Sequence, residues 1–261
     1  MIHAQVTGVE AAAATSAVTH EAVDGDTGAS LVVDVEGVEG EGSAAATPST
    51  TSAQHRQVIP LPTIENDLPL RGPTDGSNWL LFQKVVIGEY PEGDDALALC
   101  EAGVSTFVCL QKTMNEYGLF SAENYQSLLQ NKLLPKTASS SLQFIHFPMN
   151  DHGAPPEVSS LVELVLDLRS RVLSGQVLYL HCHGGHGRTG TVAIPLIASL
   201  CRVSGEKAQK FVVEATLTTR LNDAKKSGTL FDRMDAMPET GAQKRAAFFT
   251  AIEVAKLLWG R

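Results

Sequence analysis

The sequence predicts an α/β domain: a mostly parallel central sheet with helices on both faces. Three observations carry this. From about residue 78 onward, strand-like and helix-like runs alternate, as in repeated β-α units. One run, "QVLYLHC" ending at Cys182, is short and nearly continuously apolar, as a strand covered on both faces must be. The helical runs carry apolar residues at a spacing near 3.6, which gives each one packing face.

The elements follow in order. Apolar residues from Trp79 to Ile87, stopped by Gly88 and Pro91, read as one or two strands. "DDALALCEAG" reads as a short helix closed by Gly103, and "VSTFVCLQ" as a β-branched and aromatic strand. "SAENYQSLLQNKLL" has helical spacing, with Ser121 as its cap and Pro135 as its stop; "LQFIHFPM" is the next strand. Pro156 stands at a helix start, followed by the stripe Val158, Leu161, Val162, Val165, Leu168 and Val172, with Gly175 at the end. After the strand reaching Cys182, "RTGTVAIPLIASLC" reads as a buried helix that Pro195 should kink. Further helices are expected over 206–217, near Leu230 to Met234, and over 241–258.

Order is expected over residues 61–261 only. Residues 1–60 hold no aromatic residue and are rich in Ala, Gly, Val, Ser, Thr and Glu. Such a segment buries too little to offset its ordering entropy, so it reads as a disordered, acidic, low-complexity tail. Within it, "LVVDVEGVEG" has the composition of a short strand. The tail has one arginine against eight acidic residues, a charge of −7; of the total −9, this leaves −2 for residues 61–261. That balance excludes a duplex nucleic-acid footprint. No apolar run approaches the roughly 20 residues that span a bilayer, so membrane insertion is not expected. Four widely spaced cysteines make no disulfide framework, which places the chain in a reducing compartment, the cytoplasm or the nucleus.

The chemistry concentrates in "HCHGGHGRTG", His181 to Gly190. A strand ends, a glycine loop turns, and a helix begins with its N-terminus aimed at the loop. That arrangement gathers backbone N–H groups around an anion. His183, Gly184, Gly185, His186 and Gly187 form the loop, and its glycines let the backbone approach a ligand closely. Cys182 stands where loop amides and the helix dipole stabilise a thiolate. Arg188 carries a planar fork that matches two phosphate oxygens. A zinc cluster of His181, Cys182, His183 and His186 is disfavoured, because adjacent positions rarely converge on one tetrahedral ion. A Walker loop is disfavoured because its lysine is absent. No metal and no cofactor are expected.

This stretch resembles the His-Cys-x5-Arg-Ser/Thr signature of the cysteine-dependent protein tyrosine and dual-specificity phosphatases, in particular those of the cyclin-dependent-kinase-inhibitor type, with Gly184 in place of the usual alanine. A second stretch, "PMNDHGAP", resembles the family's general-acid loop, with Asp151 at the acid position. A third, "PETGAQ", matches the family's glutamine loop at Gln243 but has Glu239 in place of its first glutamine; a helix start capped by Thr240 reads these residues equally well. The resemblance implies a phosphatase fold over residues 61–261 and hydrolysis through a cysteinyl phosphate. It implies Cys182 as nucleophile, Arg188 and the loop 183–187 as phosphate binders, Asp151 as acid then base, Thr189 beside the sulfur, and His181 as support. The implied partner is a phosphorylated protein bearing phosphotyrosine or phosphoserine/threonine. A phosphoinositide is the alternative, since His183 and His186 fall where lipid-directed relatives carry lysines, and a phosphate-binding scaffold without turnover is the third reading. Oligomeric state is not set by the sequence.

Overall fold

The computed structural model describes residues 30–34, 56–64, 70–113, 124–133, 142–219 and 237–260. The chain divides into two units, residues 1–60 and 61–261. In the first unit, β1 (Ser30–Asp34) pairs antiparallel with β2 (Arg56–Pro60). These ten residues form strands within the segment expected to lack order, and β1 covers the "LVVD" whose β-branched composition favours extension.

The second unit is built on a six-stranded sheet. Its strands are β3 (Leu70–Arg71), β4 (Ser77–Leu81), β5 (Val85–Gly88), β6 (Thr106–Gln111), β7 (Gln143–Met149) and β8 (Leu178–His181), in spatial order β3-β4-β5-β8-β6-β7. The Trp79–Ile87 run is two strands, because the chain turns at residues 82–84 where Gln83 takes φ 55°. β3, β4 and β5 are antiparallel neighbours, whereas β5, β8, β6 and β7 run parallel. The sheet is therefore mixed, with the parallel part at the site-bearing end. Pro148 is accommodated in β7 because that strand lies at the sheet edge.

Two-residue alternation along the central strands divides the core between the faces. Val85, Ile87, Val108, Leu110, Leu178 and Leu180 pack with α3 (Val158–Leu173), α4 (Gly187–Cys201), α5 (Gly205–Thr219) and α6 (Gly241–Trp259). Val86, Phe107 and Tyr179 face α1 (Gly93–Glu101) and α2 (Tyr125–Leu133) on the other side. The expected stripe on α3 is buried at Leu161, Val162, Val165, Leu168 and Val172. Arg169 is buried beside it, its Nε donating to Ser199 O in the last turn of α4 at 3.4 Å, which places a cation at the negative end of that helix. α4 is buried over residues 187–200, and Pro195 stands inside it without ending it. The Ser121 cap, the Pro135 stop and the helix near Leu230 to Met234 lie outside the described residues.

Parallel strands bring their C-terminal ends to one edge of the sheet. Gly88, Gln111, Met149 and His181 are those ends. The segments leaving them hold Tyr90, Asp151 and Cys182, so the topology assembles the candidate site at the usual edge of an open α/β sheet.

Candidate active site

Cys182 follows β8 directly, and α4 begins five residues later at Gly187. The intervening loop turns through Gly185, whose φ of 71° is the left-handed conformation that favours glycine. It is anchored to β5's exit by Tyr90 N donating to His183 O at 2.9 Å. The N-cap residue His186 makes no capping bond with its own side chain, and the N-terminal turn of α4 follows the loop directly, as an anion site requires.

The four residues expected to carry the chemistry come together here. Thr189 Oγ1 donates to Cys182 Sγ at 3.2 Å. Arg188, 2% exposed, donates from one terminal nitrogen to Met149 O at 3.3 Å. Its other terminal nitrogen lies 3.1 Å from Asp151 Oδ1. A residue on the acid loop and a residue on the cysteine loop thus share one ion pair. Arg188 and Thr189 are successive residues in the first turn of α4, which brings the guanidinium, the hydroxyl and the sulfur to one helix end. Close packing fixes that end: a Cβ at Gly190 would fall 2.8 Å from Met237 Cγ.

Of the loop positions, Gly185 and Gly187 are buried, while His183, Gly184 and His186 are half-buried.

His181 is fully buried and forms a two-sided relay. Its Nδ1 lies 3.3 Å from Cys182 O and its Nε2 2.8 Å from Tyr125 Oη. A carbonyl oxygen can only accept, so Nδ1 carries the proton. The neutral ring then accepts at Nε2 from the tyrosine hydroxyl. Burial pushes the His181 pKa down to about 3, against the hydrogen bond it donates to the Cys182 carbonyl, with Arg188 and His146 adding to the depression. Burial likewise holds the Tyr125 hydroxyl well above its ordinary range, so it remains a donor. The relay fixes the carbonyl that precedes the catalytic loop.

One stability prediction follows. In the folded chain His181 stays neutral down to about pH 3, while the unfolded chain binds its proton near pH 6.5. The contribution of the neutral buried ring is full above pH 6.5 and is lost progressively as pH falls toward 3. One such group costs up to about 1.4 kcal/mol per pH unit in that window. Urea unfolding between pH 7.5 and 4.5 should show this slope, and His181→Asn should flatten it by one proton while lowering stability throughout. An unchanged slope in the variant would contradict the buried neutral ring.

Several site contacts have no local signature in the sequence. Tyr125 is 56 positions from His181, inside a helix whose local pattern marks it only as apolar. His152 Nδ1 lies 3.1 Å from Glu239 Oε2. Gln243 Nε2 donates to Gly153 O at 3.1 Å. Thr240 is the N-cap of α6, and Gln243 completes its capping box. The two readings of "PETGAQ" therefore coexist: the same residues start a helix and touch the acid loop.

Comparison with known proteins accords with this geometry. The family model described as PTP-SAK, Swiss Army Knife protein, DSP-PTPase phosphatase domain, matches residues 74–236. The chain is 31% identical over 150 residues to "Putative tyrosine phosphatase 197R" of Invertebrate iridescent virus 6, covering 56% of this chain and 48% of that protein. It is 27% identical over 135 residues to "Putative tyrosine phosphatase 067L" of Invertebrate iridescent virus 3, covering 51% of this chain and 50% of that one. The chain thus spans about half the length of these curated relatives. Among solved structures, PTPMT1 in complex with PI(5)P shares the fold, with a TM-score of 0.50 and 14% identity over 70% of this chain and 98% of that one. Cysteine loop, acid loop, sheet order and a family model spanning both motifs lead to one conclusion: the chain belongs to the DSP-PTPase family of phosphatase domains.

Proposed function

We propose that the chain is a protein phosphatase, a cysteine-dependent phosphoric monoester hydrolase acting on phosphotyrosine, phosphoserine or phosphothreonine. One observation carries this reading: the first turn of α4 sets Thr189 against the Cys182 sulfur while the adjacent Arg188 meets Asp151 from the other loop. A phosphate scaffold needs the arginine and the amides. It does not need a sulfur and a carboxyl gathered beside them.

The reaction runs in two displacements. The Cys182 thiolate attacks phosphorus, forming an S–P bond as the P–O bond to the leaving group breaks. Arg188 and the loop amides hold the nonbridging oxygens, whose charge is spread in the transition state. Asp151 gives its proton to the departing oxygen. Water then attacks phosphorus, the S–P bond breaks, and Asp151 takes a proton from the water. Inorganic phosphate leaves, and Thr189 donates to the returning sulfur. Covalent catalysis splits one difficult displacement into two easier ones. His181 acts on neither step and holds the Cys182 carbonyl in place.

A phosphoinositide headgroup presents the same phosphomonoester chemistry. It is the second reading, supported by the PI(5)P held in the PTPMT1 complex and by the half-buried His183 and His186 at the loop mouth. A panel of phosphotyrosine peptides, phosphothreonine peptides and phosphoinositides, each with a Cys182→Ser control, tests the assignment. The protein reading expects kcat/KM on a peptide to exceed that on every lipid. A lipid preference would replace it with the second reading, and no turnover of any of the three would leave the scaffold.

A further inference from the structure

The loop carrying Asp151 is tied to one short segment at three points. His152 Nδ1 lies 3.1 Å from Glu239 Oε2. Thr240 Oγ1 donates to His152 O at 3.2 Å, and Gln243 Nε2 donates to Gly153 O at 3.1 Å. Helix capping accounts for Thr240 and Gln243. It does not account for Glu239, which precedes the cap and whose carboxylate faces the acid loop.

Two further contacts give that carboxylate a position at the site. A Cβ at Gly187, the first residue of α4, would fall 2.8 Å from Glu239 Oε2. Glu239 therefore lies against the catalytic loop while it grips the acid loop. His152 takes φ 54°, a left-handed conformation unfavourable for a residue with a side chain. This turn puts Nδ1 on Glu239 and leaves Nε2 3.6 Å from Asp151 Oδ2. The imidazole is thus flanked by two carboxylates, one on its own loop and one at the start of α6, with the Thr240 hydroxyl on its carbonyl.

We propose that Glu239 is a positioning residue: by holding the His152 imidazole, it fixes the Asp151 loop over Arg188 and the catalytic loop. This rests on the phosphatase reading above. A loop that supplies a proton donor samples many positions unless something rigid orders it. Glu239 stands at the start of a capped helix of 19 residues, which is such an anchor. Because Glu239 touches no reacting atom, its effect passes through Asp151. It follows that the loss of Glu239 is felt only by substrates that need the acid.

The test uses the full chain with two substrates, phenyl phosphate, whose leaving group needs a proton, and 2,4-dinitrophenyl phosphate, whose leaving group does not. Glu239→Ala is expected to lower kcat on phenyl phosphate about tenfold, a fraction of what misplacing a catalytic group can cost, and to change the dinitrophenyl rate by less than about twofold. His152→Ala should match it. Glu239→Gln, which still accepts from Nδ1–H, should restore most of the loss. In the Asp151→Ala background, Glu239→Ala should add nothing. Hydrogen exchange provides a readout independent of turnover: deuterium uptake over residues 148–156 should rise in Glu239→Ala and His152→Ala, and by more than any rise over 182–190. Additive losses in the double variant, or unchanged uptake across the acid loop, would overturn the proposal. If the wild-type chain hydrolyses neither phosphate, the phosphatase reading fails, and the exchange comparison alone decides whether Glu239 holds the loop.

Discussion

Cys182→Ser is expected to reduce hydrolysis of an aryl phosphate by about 10⁴-fold or more, the scale on which removal of a nucleophile acts. The substitution exchanges one atom at a 4% exposed position. Serine fits the space, and Thr189 can still donate to its oxygen. An alcohol is not ionised near neutral pH, and its side-chain neighbour Thr189 is a donor rather than a base. Phosphate binding should survive, since Arg188 and the loop amides are untouched. Isothermal titration with phosphate, set beside turnover, separates the two effects. Binding kept within about threefold with turnover lost is the expected pair. Retained turnover would remove Cys182 from the chemistry, and lost binding would point to a collapsed loop rather than a missing nucleophile.

Asp151→Ala is the second large effect. General acids of this kind contribute about 10²–10⁴-fold, and the full loss is expected on phenyl phosphate. On a substrate with a good leaving group the loss should shrink to a few-fold. In the structure, Asp151 Oδ1 lies 3.1 Å from the guanidinium that the substrate phosphate must occupy. A phosphate dianion therefore competes with the carboxylate for its cation. The variant loses this competition as well as the acid, so it should bind phosphate more tightly while turning over more slowly. Arg188 would keep Met149 O as a partner. Because Asp151 is 43% exposed, solvent screens the pair, and the stability change should be small. Equal losses on good and poor leaving groups would contradict the acid role.

What the sequence made legible was local. The glycine loop, the strand before it and the helix after it are contiguous, so their order along the chain is their order in space. Cys182, Arg188 and Thr189 are legible in eight residues, and Asp151 in a second short motif. The alternation of elements gave the layered architecture, and the nearly continuous apolar run of β8 gave its central place. What stayed illegible depends on distant pairing. Nothing near Tyr125 says that its hydroxyl will meet His181, because that contact needs α2 folded onto the sheet face opposite α4. Nothing near Glu239 says that it will meet His152, because the two are brought together by α6 packing against α3 and α4. The antiparallel edge was ambiguous for a different reason: residues 77–81 and 85–88 are buried and only the three exposed residues 82–84 separate them, a break too short to mark a turn in the pattern alone. The burial of Arg169, a charged residue beside the apolar stripe of α3, depends on the end of α4 supplying a carbonyl there.

The central claim is that phosphorus passes through one sulfur. A rapid denaturing quench of the full chain, mixed with excess labelled aryl phosphate, tests it most directly, with the modified residue located by peptide mass spectrometry. Label on Cys182, forming within the first turnover and absent in Cys182→Ser, is the result this mechanism requires. Steady hydrolysis with label on another side chain, or with none on the protein at any time under conditions that trap a known cysteinyl phosphate, would contradict it.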